Sequence, residues 1–268
     1  MRVDRLQIFK SSILLVALSV LGITSAYATE GSCTELTASG NAEYPPYLWR
    51  DLSRPGELTG AIRYLMDDLS DMLDLPIRVI DSGPWGRTQE EVAAGRIDLI
   101  AGAFFTEARS EWMDYVEPSL MLTQTAVWTS DEKEIDYSEW RDLIPYQGVT
   151  VIYNSFGQTF DQFAKTHLSI TEVGSLEQGL LMVASQRADY LIYEDQPGLI
   201  FAQKLGVSNI KTLPRAITQQ NLFLTFSKLS KCNTESLKHR ISDALRIIQE
   251  EDRQSYYLAK ASDSFSQN

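Results

Sequence analysis

The sequence predicts an α/β protein built as two similar lobes, and three observations carry that expectation. Strand-like runs alternate with amphipathic helices along almost the whole chain, which is the pattern of α/β folds. A short motif recurs: Arg96-Ile97-Asp98-Leu99-Ile100 and Arg187-Ala188-Asp189-Tyr190-Leu191 share Arg-x-Asp-apolar-apolar, each directly after an amphipathic helix. About 240 residues remain once an N-terminal leader is set aside, enough for two domains of common size. In open α/β sheets ligands sit beyond the carboxyl ends of the strands, so the residues after both motifs are expected to face one crevice. A chance match of so short a pattern is the plain alternative.

The leader comes first. Arg2, Arg5 and Lys10 stand against a single Asp4, an apolar run over 13–23 follows, and Ala26-Tyr27-Ala28 supplies the small-x-small cleavage pattern. The run is too short to span a bilayer, so residues 1–28 read as a removable signal peptide. Glu30 sits where a lipoprotein signal wants an aliphatic residue before Cys33, so no lipid anchor is expected. Over 61–74, Ile62, Leu65, Met66, Leu69, Met72 and Leu73 fall at helical spacing, and 77–80 reads as a strand after Pro76. A helix over 86–94 and a strand over 97–101 follow. Later come a strand over 149–153 and a helix over 156–167, then a helix over 175–186 opened by Ser175 with Gln178 three residues on. Strands over 190–193, 210–213 and 222–226 and a closing helix over 235–249 complete the reading.

Removing residues 1–28 takes away three basic residues and one acidic one, moving the net charge from −12 to −14. So acidic a surface repels phosphate backbones and anionic head groups, which argues against nucleic-acid or membrane-surface binding. No second apolar stretch approaches the roughly 20 residues of a membrane span, so no membrane insertion is expected after signal cleavage. Cys33 and Cys232 are expected to pair, because an exported protein matures where disulfides persist. With only His167 and His239 beside them, scattered along the chain, no metal site is expected. Neither is a cofactor. Without a coiled coil or a long exposed apolar segment, a monomer is expected.

Thr106-Glu107-Ala108-Arg109, followed by Asp114-Tyr115-Val116-Glu117-Pro118, resembles the family 3 extracellular solute-binding proteins, the polar amino-acid receptors of ABC importers. Those proteins show Thr-x-x-Arg and then Asp-Phe-Ser-x-Pro at this spacing. Tyr44-Pro45-Pro46-Tyr47 resembles the family's first ligand loop, Gly60 its helix-opening glycine, and Trp85 with Gly95-Arg96-Ile97-Asp98 its aromatic and Gly-x-x-Asp segment. Val149-Thr150-Val151 with Asn154-Ser155 is similar to its Val-Gly-Val and Gly-Ser/Thr turn. The resemblance implies a periplasmic-binding-protein-like fold, two α/β lobes joined by a two-strand hinge with the ligand cleft between them. Lobe 1 would comprise 29–126 and 220–268, and lobe 2 would comprise 127–219, closing by a hinge on the ligand.

The resemblance also implies roles. Arg109 matches the carboxylate-binding arginine, whose fork offers two parallel bonds to an α-carboxylate, although a solvated helix-start arginine is the plain reading. Backbone amides near Ala103 and Thr106 would complete the anion site, and Ser155 would add a donor from the second lobe unless it is only a turn serine. Glu194 stands where the family has the ammonium-binding aspartate, with Asp195 in reserve, and either can instead cap the helix that follows. Tyr44 and Trp85 fit the two aromatic positions that sandwich the ligand, while Tyr47, Trp49 and Trp112 read as packing residues. Phe104 replaces a small hydroxyl residue and makes the pocket more apolar. Phe104, Asn154, Val116 and Glu194 all depart from the family pattern, so ligand identity does not transfer.

The implied function is capture of an amino acid or derivative in the periplasm, handed to an inner-membrane ABC permease, with no catalytic residue. Two rivals stay open. A periplasmic dehydratase of a cyclic acid shares the fold and would use Glu194 as an acid. A sensing module for a membrane signalling partner would use the same ligand-driven closure. Arg50, Arg63 and Arg87 are candidate second cations for an acidic ligand.

Overall fold

The computed structural model describes residues 33–266; the predicted signal peptide over 1–28 lies outside the described residues. The described chain opens with β1 (Leu36–Ser39), followed by a small antiparallel sheet of β2 (Glu43–Tyr44), β3 (Leu48–Arg50) and β4 (Leu58–Thr59). Helix α1 (Ala61–Leu73) forms where the apolar spacing predicts and buries Ile62, Leu65, Met66, Leu69 and Leu73. Met72 is exposed, lying beside the buried stripe instead of on it. Asp74, with φ 47°, ends the helix in the left-handed conformation. Next come β5 (Ile77–Val79), α2 (Trp85–Ala93), β6 (Leu99–Ala103) and the short α3 (Glu107–Ser110).

A long strand, β7 (Met113–Ser130), carries the chain into a second run of elements: β8 (Gln147–Val151), α4 (Gln158–His167), β9 (Ser169–Val173), α5 (Leu176–Ala184), β10 (Tyr190–Glu194), α6 (Asp195–Lys204) and β11 (Ile210–Thr212). The chain returns along β12 (Thr218–Ser227) and finishes in α7 (Glu235–Glu250) and α8 (Arg253–Ser266). Ser175 caps α5 as expected, accepting from the Gln178 amide at 3.2 Å.

Nine strands make one sheet in the order β5-β1-β6-β12-β7-β10-β8-β9, with β11 also on β7. On one side β5, β1 and β6 are parallel; on the other β10, β8 and β9 are parallel. Antiparallel β12 and β7 stand between them. Leu222 to Thr218 of β12 pair with Met121 to Thr125 of β7 before β7 turns to β10, so these two strands join two α/β lobes as a hinge. The β12 register slips around Phe223, beside its pairing with Ala103.

The repeated motif acquires a structural meaning. A side-chain oxygen of Asp98 accepts from the Thr37 amide at 2.8 Å, and one of Asp189 accepts from the Gln147 amide at 2.8 Å. In both lobes the aspartate therefore satisfies the backbone at the start of a neighbouring parallel strand, β1 or β8. Strands β6 and β8 are each shifted by two residues from the sequence reading. Asp98 serves β1 before β6 begins, and Tyr153, at φ 65°, already lies in a turn.

Helices α1, α7 and α8 cover the first lobe's sheet with Leu65, Leu69, Ile241, Leu245, Ile248 and Tyr257. Each aliphatic side chain of this kind contributes about 1.5–3 kcal/mol on burial. The Cys33–Cys232 disulfide is formed as expected, tying the chain before β1 to the turn between β12 and α7.

Candidate ligand-binding site

Four segments of the first lobe build one wall of the cleft. The turn after Tyr44 is held by α1, whose first amides, Ala61 and Ile62, donate to the carbonyls of Pro46 and Tyr47 at 2.9 Å. Gly60 makes this possible: its φ is 130°, and a Cβ there would lie 2.5 Å from the Tyr47 carbonyl oxygen. Tyr44 and Tyr47 pack ring to ring with centroids 4.9 Å apart, and both are buried. Trp85 opens α2, while Ala103 ends β6 and Phe104 follows it. Arg109 projects from α3, whose start is capped by Thr106 accepting the Arg109 amide at 3.1 Å.

Arg109 is 7% exposed, yet among the described residues no carboxylate lies within ion-pair distance of it. Its guanidinium donates to the Phe104 carbonyl at 3.2 Å and, across the cleft, to the Tyr153 carbonyl at 3.3 Å. The ring of Trp85 lies beneath it, 5.4 Å from centroid to guanidinium carbon. Burial lowers the Arg109 pKa, but an arginine starts so high that the charge stays.

From the second lobe come Asn154, Ser155 and Glu194. The hydroxyl of Ser155 donates to Asp161, so the Ser155 backbone amide is the donor it can offer a ligand. Glu194 ends β10, is 3% exposed, and has one oxygen with no hydrogen-bond partner; the buried Tyr44 hydroxyl has none either. Burial is the main cause that pushes the Glu194 carboxyl up to about 8.

Tyr44, Trp85, Ala103, Phe104, Arg109, Ser155 and Glu194 meet in one cavity together with Asn41, Gly102, Asn154 and Leu222. Its volume is about 30 Å³, room for one or two waters, and three hydrogen bonds cross the cleft to Tyr153, so the lobes stand nearly shut. Thr106 and Asp195 do not line it. Thr106 supports Arg109 from behind, its own amide meeting the Tyr115 hydroxyl at 3.4 Å. Asp195 lies at the start of α6 and accepts from the Gln196 amide at 2.6 Å. Asn41, Gly102 and Leu222 went unnoticed in the sequence; a lone loop Asn, a strand glycine and a strand leucine carry no local signal of a site. The packing residues behave as expected, Trp49 standing edge-on to Phe265 at 5.2 Å.

The cleft is latched at one atom. Arg109, Trp85 and Gln89 all donate to the Tyr153 carbonyl, at 3.3, 3.2 and 3.4 Å. The Tyr153 ring lies against Gly86 so closely that a Cβ there would sit 2.4 Å from it. Beside the latch, Gln158 and Glu107 exchange hydrogen bonds at 3.0 and 3.1 Å. Among the described residues no cluster of three or more metal-ligating side chains occurs, and no helix is long and apolar enough to cross a membrane.

With this geometry in view, the family model of the bacterial extracellular solute-binding proteins, family 3, matches residues 36–260. The chain belongs to that family. No curated protein matches the sequence. Among solved structures, a histidine kinase sensor domain with similarity to periplasmic binding proteins is 17% identical with a TM-score of 0.71, covering 84% of this chain and 95% of its own. Holo ArgBP from T. maritima is 16% identical with a TM-score of 0.66, covering 81% of this family 3 chain and 91% of its own. An ancestral amino acid-binding protein, described as a precursor of cyclohexadienyl dehydratase, is 17% identical with a TM-score of 0.66, over 85% and 94%. At these identities the likeness is one of fold, and the family match makes the chain a ligand-binding protein of family 3.

Proposed function

We propose that this family 3 protein is exported to the periplasm and captures a small amino-acid-like ligand by closure of its two lobes, for ABC-type import. The observation that carries the reading is the pairing, in one cavity, of a buried arginine without a carboxylate partner and a buried glutamate with an unpartnered oxygen. An arginine fork suits an α-carboxylate, and a carboxylate suits the ammonium of the same molecule. In this reading Arg109 and the Ser155 amide take the carboxylate, Glu194 takes the ammonium, and Tyr44, Trp85 and Phe104 pack on the ligand's carbon skeleton. Ala103 contributes backbone, Thr106 acts from behind as the cap of α3, and Asp195 acts from the first turn of α6. Residues 1–28 are the cleaved leader, 29–126 with 220–268 form lobe 1, and 127–219 form lobe 2. The course of β7 and β12 supports these boundaries.

A second reading, ligand sensing for a membrane partner, draws support from the likeness to a kinase sensor domain. Both readings need the same binding event. Melting temperature recorded against a panel of amino acids, derivatives and cyclic acids tests it, since a ligand that binds only the native state raises the midpoint. A shift with an amino acid that is lost in Arg109→Ala supports capture. Consumption of a cyclic acid without any such shift turns the reading toward an enzyme.

A further inference from the structure

We infer that the cavity selects an amino acid of zero net charge with a short, apolar side chain, and that Phe104 and Leu222 set its size limit. The inference rests on the proposed amino-acid capture and narrows it. Among the cavity's lining residues only Arg109 and Glu194 can carry charge near neutral pH. If they take the α-carboxylate and the α-ammonium, no charge is left for a side chain.

The other ionisable candidates are committed elsewhere. Arg50 pairs with Glu43 and Asp81, at 3.2 and 3.0 Å. Arg63 pairs with Glu57 and Asp67, at 3.1 and 2.8 Å. Arg87 is exposed and faces Glu91 at 3.9 Å. Asp195 accepts from the Gln196 amide in the first turn of α6, and Asp161 accepts from the Ser155 hydroxyl and the Phe156 amide. A cationic or anionic side chain entering this cavity would thus be desolvated without a counter-charge, a heavy penalty.

The walls that remain argue for small size. Phe104 and Leu222 are both buried and both line the cavity. With the lobes in this position the cavity holds one or two waters, so an amino acid must move the second lobe outward to enter. Each further carbon parts the lobes more and draws Tyr153 and Ser155 of the second lobe away from Arg109. The shortest side chain therefore keeps the most contacts across the cleft.

Calorimetric titration of the disulfide-bonded protein with glycine, L-alanine, L-leucine, L-glutamate and L-arginine tests this. Alanine or glycine is expected to bind at least about tenfold more tightly than leucine, a step typical of pocket size limits, and about a hundredfold more tightly than glutamate or arginine. In Phe104→Ala, or in Leu222→Ala should the first variant fold poorly, leucine should gain at least about tenfold relative to alanine. Arginine or glutamate binding as tightly as alanine, with binding lost in Arg109→Ala, overturns the inference and leaves amino-acid capture standing. Leucine binding most tightly to the unaltered protein overturns the size limit alone. Binding of none of the five, or binding that survives Arg109→Ala, overturns both the capture reading and the inference built on it.

Discussion

The guanidinium of Arg109 donates to the backbone carbonyl of Tyr153, 3.3 Å away on the opposite side of the cleft. A group shaped to hold a carboxylate is thus engaged by a neutral oxygen of the protein's own chain, and a ligand carboxylate must compete with that oxygen. Closure and binding draw on the same donors.

Disturbing the latch should therefore open the protein without unfolding it. In Gly86→Val the new side chain displaces the Tyr153 ring from α2. Tyr153 is largely exposed, so stability should change by no more than about 1 kcal/mol. The radius of gyration from small-angle scattering should rise, and an unchanged radius would show that the Tyr153 ring has no part in closure.

Replacing Arg109 should separate stability from binding. A buried charge without a counter-charge is costly, so Arg109→Met is expected to melt at or above the wild-type temperature while losing every ligand-induced shift. Arg109→Lys keeps charge but not the fork, and should bind at least about tenfold more weakly. Thermal melts with and without alanine check both; a large destabilisation of Arg109→Met would mean that the arginine is a structural anchor.

Glu194 should make the protein's behaviour pH-dependent. Its folded-state value of about 8 lies above the ordinary 4.5, so the native state holds this proton more tightly than the unfolded chain does. That stabilisation is complete below about pH 4.5 and is lost as pH rises through about 8. Melting temperature should fall across this window, and Glu194→Gln should flatten the fall. Binding should run the other way: an ammonium needs the ionised carboxylate, so affinity for alanine should rise about tenfold per pH unit up to about 8.

The two motif aspartates are expected to matter for stability alone. Asp98→Ala leaves the part-buried Thr37 amide without its partner, at a cost of about 1–3 kcal/mol, and Asp189→Ala leaves the exposed Gln147 amide to water, at a cost of about 1 kcal/mol or less. Denaturant melts should show this loss, whereas the dissociation constant for the ligand should move less than about twofold. A large change in affinity from Asp189→Ala would mean that β10 positions Glu194 less rigidly than its pairing with β7 implies.

Much of this was legible because periodicity and repetition are local properties. The six spaced apolar residues of α1, the Ser175 cap and the paired Arg-x-Asp motifs lie within a few residues of each other, and the motifs pointed to the cleft through Phe104 and Glu194. Strand β9 escaped because only Val173 in it is fully buried, so no alternation marks it. Helix α8 escaped because only Tyr257 and Ala261 of it are fully buried, with Leu258 and Phe265 partly so, too few to mark a clear apolar stripe among its Ser, Lys and Asp residues. Leu222 entered the site only through the pairing of β12 with distant β7, which nothing beside it in the chain announces. The same is true of the Tyr153 latch, a backbone oxygen whose significance depends on three donors from another lobe.

The place of β12 between β6 and β7 also fixes an order of events for a chain made from its N-terminus. Until residues 218–227 have emerged, β6 has an open edge on that side and β7 lacks its neighbour, although the whole of the intervening lobe is already available to fold. The first segment synthesised is therefore among the last to be completed. During that interval the β6 edge is a template for strand pairing with other chains, and a newly made molecule is more prone to aggregation than a finished one.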